Sequence, residues 1–287
     1  WKVYLCNSGT EANETAIKIA RKLTGRTKIL SMDGSFHGRT IGSLSATALP
    51  GYRTAFAPLV PDHFTAEFGK ISSAKSFLDQ QTAGVILEPI QSMSGVRVAE
   101  PTYYQELRKA ATDKGALLIA DEIQTAVGRT GKPFAMDHWG VVPDLITMAK
   151  GIASGVPIGA VLIREEIAKT IKPGEHGNTF GGGPLACAAL AATMETIEKE
   201  KLIANAADVG TFLAESAAAS GLVDAVRGKG LLLGLKLKKP AKEVQKALFA
   251  EGVLTGTSYD PNVLRILSPI TLSHDEVSFF IERFRRA

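Results

Sequence analysis

The stretch Ala116-Leu117-Leu118-Ile119-Ala120-Asp121-Glu122 decides the fold class, because an unbroken apolar run ends there in two carboxylates. A strand with apolar residues on both faces is buried on both faces, as in a parallel sheet covered by helices. A second run, Asp144-Leu145-Ile146-Thr147-Met148-Ala149, ends at Lys150-Gly151. Residues 28–31, 84–87 and 157–163 read the same way, and 1–5 have a buried-strand pattern. Between them, residues 11–23 place Ala12, Ala16, Ile17, Ala20 and Leu23 on one helical face. Residues 101–114 turn Tyr104, Leu107, Ala110 and Ala111 inward. This alternation predicts a three-layer α/β domain with a mostly parallel central sheet flanked by helices.

After Pro184 the pattern changes. A small-residue helix at 185–198 leads to a helix (202–220), a strand (230–237), a helix (241–251), short strands near Val253 and Val263, and a last helix from His274. The expected division is a large domain at 1–198, including the linking helix, and a small C-terminal α+β domain at 199–287. No internal repeat or low-complexity tract interrupts either.

The chain has 33 Lys+Arg against 29 Asp+Glu, a net charge of +4 that is too small to call for a polyanionic partner. Its densest basic stretches, 236–242 and 283–286, are short and read as solvated surface, so no nucleic acid is expected. Cys6 and Cys187 lie far apart, which argues against a disulfide framework and for a reducing cytoplasm. No apolar run reaches the length of a membrane span. The sequence opens inside a strand pattern without an initiator Met, and the expectation is that an N-terminal segment is missing. The five histidines are scattered, and with neither HExxH nor CxxC no metal is expected. A GxSxG nucleophile elbow is also missing.

Ligands of open α/β sheets bind at the carboxyl ends of the strands, where Asp121 and Lys150 both fall. Asp121 alone could be a structural cap or a Walker B acid; the second needs a GxxxxGK[ST] loop that the chain lacks. Lys150 alone could be a surface solubiliser. At the end of a buried strand, desolvation would lower its pKa and leave an amine able to attack an aldehyde. Asn7-Ser8-Gly9-Thr10-Glu11 opens the first helix and forms either an anion site or an ordinary cap. Ser35-Phe36-His37-Gly38-Arg39 is either a surface turn or an aromatic and a guanidinium on a ligand, with His37 read as structural. One ligand uses all four pieces. Pyridoxal 5′-phosphate (PLP) has a phosphate for the helix N-terminus, a ring for the aromatic, a ring nitrogen for the Asp and an aldehyde for the Lys.

With NSGTEANETA (7–16), SFHGRT (35–40), LEPIQ (87–91), ADEIQTAVGRTGK (120–132), PDLITMAKGIASGVPIGA (143–160), GNTFGGGPLA (177–186) and VLRILSPITLSHDE (263–276), the chain resembles the class III (ω-) aminotransferases, in particular their acetylornithine/ornithine branch. The resemblance implies fold type I and catalysis by Lys150, as a Schiff base with PLP, and by Asp121, paired with the ring nitrogen. It assigns the phosphate to the backbone amides of Gly9 and Thr10, with Ser8 also binding the cofactor, the ring faces to Phe36 and Ile123, and the phenolic oxygen to Gln124. Thr179 would reach the phosphate in a neighbouring subunit, making the active unit a homodimer. Arg39, Glu88, Asn178 and Arg265 would bind substrate, with Arg265 on the α-carboxylate of glutamate or 2-oxoglutarate. The missing segment would be the family's N-terminal arm.

The activity implied is transfer of an amino group from an ω-amino acid such as N-acetylornithine to 2-oxoglutarate, as in arginine biosynthesis. The alternatives are another class III activity, such as 4-aminobutyrate or other ω-amine transamination or an aminomutase, and a non-catalytic scaffold of the same fold. Three positions depart from the family pattern. Residues 88–95 read EPIQSMSG where EPIQGEGG is usual, so Met93 replaces an acid that would pair with Arg265. Asn178 replaces Ser or Thr, and Gly183 replaces Asn.

Overall fold

A computed structural model describes all 287 residues, which divide into two compact units. The first comprises Trp1–Pro89, Ala99–Gln124 and Met136–Glu195. It holds a seven-stranded sheet of β1 (Lys2–Cys6), β2 (Lys28–Met32), β3 (His63–Ala66), β4 (Thr82–Leu87), β5 (Leu117–Asp121), β6 (Leu145–Met148) and β7 (Gly159–Ile163). The strand order is β1-β7-β6-β5-β4-β2-β3. Pairs from β6 to β3 are parallel, and β7 runs antiparallel to both β6 and β1. The mostly parallel sheet was expected; the reversal of β7 was not. Residues 149–158, which include a 3₁₀ turn, join β6 to β7, and a parallel return needs a crossover of about a dozen residues or more.

Helices α1 (Gly9–Thr24), α2 (Ile41–Ala46), α3 (Pro50–Arg53), α4 (Ile71–Phe77), α5 (Pro101–Lys114), α6 (Glu165–Ala168) and α7 (Pro184–Lys199) follow the strands. Ser8 caps α1 by accepting from the Glu11 amide, and Gly25 ends it in the left-handed region. The buried face of α1 carries Ala12, Ala16, Ile17, Ile19 and Ala20, which pack with Ile29, Ile86, Ile119 and Val161 of the sheet. Leu23, expected on that face, is 37% exposed in the last turn. The buried face also contains two polar residues, Asn13 and Thr15.

The second unit comprises Ile90–Val98, Thr125–Ala135 and Thr196–Ala287. Its four-stranded antiparallel sheet has the order β10-β11-β9-β8, from β8 (Val223–Lys229), β9 (Leu232–Leu237), β10 (Gly256–Thr257) and β11 (Val263–Ile266). Helices α8 (Leu202–Ala218), α9 (Ala241–Ala250) and α10 (His274–Arg286) complete it. The core joins Val209 and Leu213 of α8, Leu233 and Leu235 of β9, Val244 of α9 and Phe284 of α10. Truncating a buried side chain such as Phe284 to Ala costs about 3–5 kcal/mol. Ser273 and Glu276 close a capping box on α10.

Hydrogen bonds explain why two inner segments belong to this unit. The Tyr259 amide donates to the Met93 carbonyl (2.8 Å), and the Leu231 amide donates to the Arg129 carbonyl (2.9 Å). The unit boundary nearest the expected 198/199 division falls within α7, between Glu195 and Thr196.

Candidate active site

A cavity of about 460 Å³ opens in the first unit, within the ordinary range for small-ligand sites. Its lining includes Ser8, Gly9, Thr10, Phe36, Arg39, Glu88, Asp121, Ile123, Gln124 and Lys150, ten of the positions read from sequence. They converge because β1, β5 and β6 all end on this side of the sheet and the turn after β2 carries Phe36 to Arg39.

Gly9 and Thr10 are the first residues of α1, where amide groups have no partner within the helix and the helix dipole favours an anion. Gly9 sits tight under Ile123: a Cβ there would lie 2.7 Å from Ile123 Cδ1. The Thr10 hydroxyl is 2.8 Å from the Thr40 hydroxyl, which joins the helix start to the segment after Arg39.

Asp121, 4% exposed, is held as an acceptor on both oxygens. Oδ2 is 2.7 Å from His37 Nδ1 and accepts from Asn13 Nδ2 at 2.8 Å; Oδ1 accepts from the Ile123 amide at 3.2 Å. Asn13 also donates to the His37 carbonyl (2.6 Å) and accepts from Thr147 Oγ1 (2.7 Å). His37 is buried, and its Nε2 has no hydrogen-bond partner. A buried carboxylate survives as an anion only where donors compensate its lost hydration, and this network supplies them.

His37, Asn13 and Thr147 are therefore part of the site that sequence reading missed. A signal existed: Asn13 interrupts the buried face of α1, and Thr147 interrupts the apolar run of β6. His37→Phe should remove one donor from a buried charge and lower the unfolding free energy by about 1–3 kcal/mol. Urea denaturation checks this, and an unchanged midpoint would mean that the contact carries no energy.

Lys150 departs from expectation. The sequence placed it at the end of a buried strand, desolvated, yet it lies beyond β6 in a 3₁₀ turn and is exposed on the cavity wall. Its backbone is left-handed, with φ of 54°. For a residue with a Cβ this is strained, and such strain concentrates at functional positions.

Phe36 lines the cavity and meets Tyr52 edge-on at 5.2 Å, while its amide donates to Glu88 Oε2 (2.9 Å). Glu88 is 4% exposed and thus serves the backbone of the turn as well as the cavity wall. The Arg39 guanidinium lies over the Tyr52 ring at 4.5 Å. Cys6 sits just before this site, but burial pushes its thiol up to about 11, so it is no nucleophile near neutrality.

Three predicted residues lie elsewhere. Asn178 and Thr179 are exposed and do not line the cavity; Asn178 Nδ2 donates to the Tyr4 hydroxyl (2.6 Å) and the Leu5 carbonyl (2.9 Å). Arg265 belongs to the second unit, where Nη1 donates to Ser92 Oγ (3.1 Å) and lies 2.9 Å from Met93 Sδ. No group of three or more His, Cys, Asp or Glu is placed to hold a metal ion, and no helix is long and apolar enough to cross a membrane.

The features of PLP fit this lining: a helix N-terminus for a phosphate, Phe36 and Ile123 for an aromatic ring, a buried and compensated carboxylate, and an amine. Comparison with known proteins points the same way. The family model described as Aminotransferase class-III matches residues 2–287. An acetylornithine aminotransferase of Methanopyrus kandleri is 43% identical over 278 residues, covering 96% of this chain and 72% of that protein. A putative LysW-aminoadipate semialdehyde/glutamate semialdehyde transaminase of Pyrococcus furiosus is 45% identical over 276 residues, with the same coverage. The ornithine aminotransferase of Toxoplasma gondii, crystallised with PLP partly occupying its active site, superposes with a TM-score of 0.94 at 30% identity. That match covers 100% of this chain and 72% of the other.

Proposed function

The chain belongs to the class III aminotransferases, and we propose that it moves the amino group of an ω-amino acid, N-acetylornithine in the first instance, to 2-oxoglutarate with PLP as cofactor. One observation carries the reading: a helix N-terminus, a buried carboxylate held by donors and a lysine meet around one cavity.

When bound, PLP supplies an aldehyde for the donor amine and a ring that takes up electrons from the bond being broken. The chain's residues do the rest. Ser8, Gly9 and Thr10 bind the phosphate, while Phe36 and Ile123 flank the ring. Asp121 would hold a proton at the pyridine nitrogen, and Gln124 would hydrogen-bond the phenolic oxygen. Lys150 Nζ would meet the aldehyde carbon and would hold the proton that moves between the carbon atoms of substrate and cofactor. Arg39 and Glu88 would face the substrate from the cavity wall, while Asn178, which does not line this cavity, and Arg265 are assigned to substrate by the family resemblance, Arg265 to an α-carboxylate.

Thr179 is assigned to the phosphate of a second copy. In support of a homodimer, α7 is rich in Ala and Leu, yet Ile197 is its only buried residue. Phe180 just before it and Leu185 in its first turn are 79% and 77% exposed, an apolar surface that association would cover.

The test is a half-reaction screen, in which protein loaded with PLP is mixed with N-acetylornithine, ornithine, lysine and 4-aminobutyrate. Loss of the cofactor absorbance should be fastest with N-acetylornithine. The Pyrococcus relative favours a second reading, transamination of aminoadipate semialdehyde or glutamate semialdehyde, whose amine forms are lysine and ornithine, and a faster reaction in the lysine or ornithine arm would establish it.

Arg265 gives a further prediction. Its Nη1 rests on a hydroxyl and a thioether, neither of which carries a charge. Met93→Glu should place a carboxylate against the guanidinium and mask it from substrate. The ratio of kcat/KM for N-acetylornithine to that for glutamate should then rise about tenfold, the worth of about 1.4 kcal/mol. An unchanged ratio would remove Met93 from donor choice.

A further inference from the structure

His176 has no role in the site described above, yet it makes a contact of defined protonation. Its Nε2 is 2.9 Å from Thr15 Oγ1, and its Nδ1 is 2.9 Å from Lys18 Nζ. Thr15 Oγ1 already donates its one proton to the Glu11 carbonyl at 2.8 Å, so toward His176 it accepts. Nε2 therefore carries the ring proton, and Nδ1 is the bare acceptor for the Lys18 ammonium. The imidazole fits only when neutral: a proton on Nδ1 would face the ammonium with no lone pair between them.

The other groups nearby are spoken for. From α1, Glu11 accepts from the Asn7 amide and side chain (2.7 and 2.8 Å), Glu14 accepts from the Gly42 and Ser43 amides, and Lys22 pairs with Glu175 of the loop itself. From β1, the Tyr4 ring packs on the imidazole at 4.5 Å, and the Tyr4 hydroxyl accepts from Asn178. Thr15, Lys18 and Lys22 lie along one face of α1, the helix whose N-terminus forms the proposed phosphate site. Asn178 in turn accepts from the Gly181 amide.

We propose that His176 is the positioning residue of the loop 172–183: its neutral imidazole clasps the loop to α1 and β1, thereby fixes Asn178 and Thr179, and lets go on acidification. The link to function rests on the reading that Thr179 serves the cofactor phosphate of a second copy. Burial, and then Lys18, hold His176 below the ordinary histidine value of 6.5. The neutral clasp is therefore intact above that value and is lost as pH falls through the lower, folded one.

Hydrogen exchange of peptides covering 172–183 tests the clasp in the full chain, scaled to an unstructured peptide, from about pH 5 to pH 8. Protection should fall by up to about tenfold per pH unit inside the transition. In His176→Gln the side-chain amide can still donate to Thr15 but does not titrate, so the acid step should vanish while protection at neutral pH persists. His176→Ala should lose protection at every pH. A wild-type loop without an acid step, or a step that survives in His176→Gln, overturns the proposal.

Equilibrium dialysis with PLP then tests the link to the site. The Kd of wild type should weaken in acid more than that of His176→Gln, whereas identical pH profiles overturn the link. Protein that binds no PLP at any pH would sink the cofactor reading and the link with it, while the exchange step would still decide the clasp.

Discussion

Lys150→Ala is expected to lose transamination almost completely while keeping its fold. Lys150 is exposed on the cavity wall and belongs to no hydrophobic core. Ala at the same φ of 54° carries a similar backbone cost, so stability should change by about 0.5 kcal/mol or less. Proton transfer by a positioned side chain contributes about 10²- to 10⁴-fold, and loss of the amine that meets the aldehyde adds to that. PLP should still bind through Ser8 to Thr10 and Asp121, because those contacts are independent of the lysine. Steady-state turnover, equilibrium dialysis and thermal unfolding separate the three effects. A variant with kcat within about tenfold of wild type would show that the lysine does not move the proton.

Asp121→Asn is expected to be the second most damaging change, and for two reasons. The carboxylate is the group assigned to hold a proton on the ring nitrogen, and losing such electrostatic stabilisation in a dry site costs about 3–4 kcal/mol in the chemical step. The substitution is also not neutral for the fold. His37 and Asn13 both meet Oδ2, and the Ile123 amide donates to Oδ1. An Asn side chain offers one acceptor oxygen, so its amide group must face at least one of those donors. An additional loss of about 1–3 kcal/mol in stability follows. Turnover should therefore fall about 10²- to 10³-fold, with PLP affinity changing far less. Near-normal turnover in a destabilised variant would assign Asp121 a structural role alone.

The sequence made some of this legible because burial leaves a compositional trace. β4, β5 and β6 are buried almost throughout and read as apolar runs. β3, at the sheet edge, left no such run: His63 and Phe64 are partly exposed and Phe64 packs near Phe77. β8 was invisible for a related reason, since its pattern is half exposed and a register irregularity falls between Val223 and Ala225. The direction of β7 depends on the path of the connection 149–158, which hydrophobicity does not encode.

At the site, residues that serve as ends of strands and starts of helices stood out, because position alone suggests a role. Residues that act through another group did not. Nothing in the local sequence of Asn13 or Thr147 names Asp121 as a partner; only the packing of α1 over β5 and β6 brings them together. His176 was hidden in the same way, since its partners Thr15 and Lys18 lie more than a hundred residues earlier in the chain.

Lys150 is proposed as the amine that meets the cofactor aldehyde. The most direct measurement is to load the protein with PLP, reduce it with borohydride, digest it and map the modified peptide by mass spectrometry. One modified residue is expected, Lys150, and no modification in Lys150→Ala. Modification of another lysine, or of none in protein that retains PLP, would contradict it.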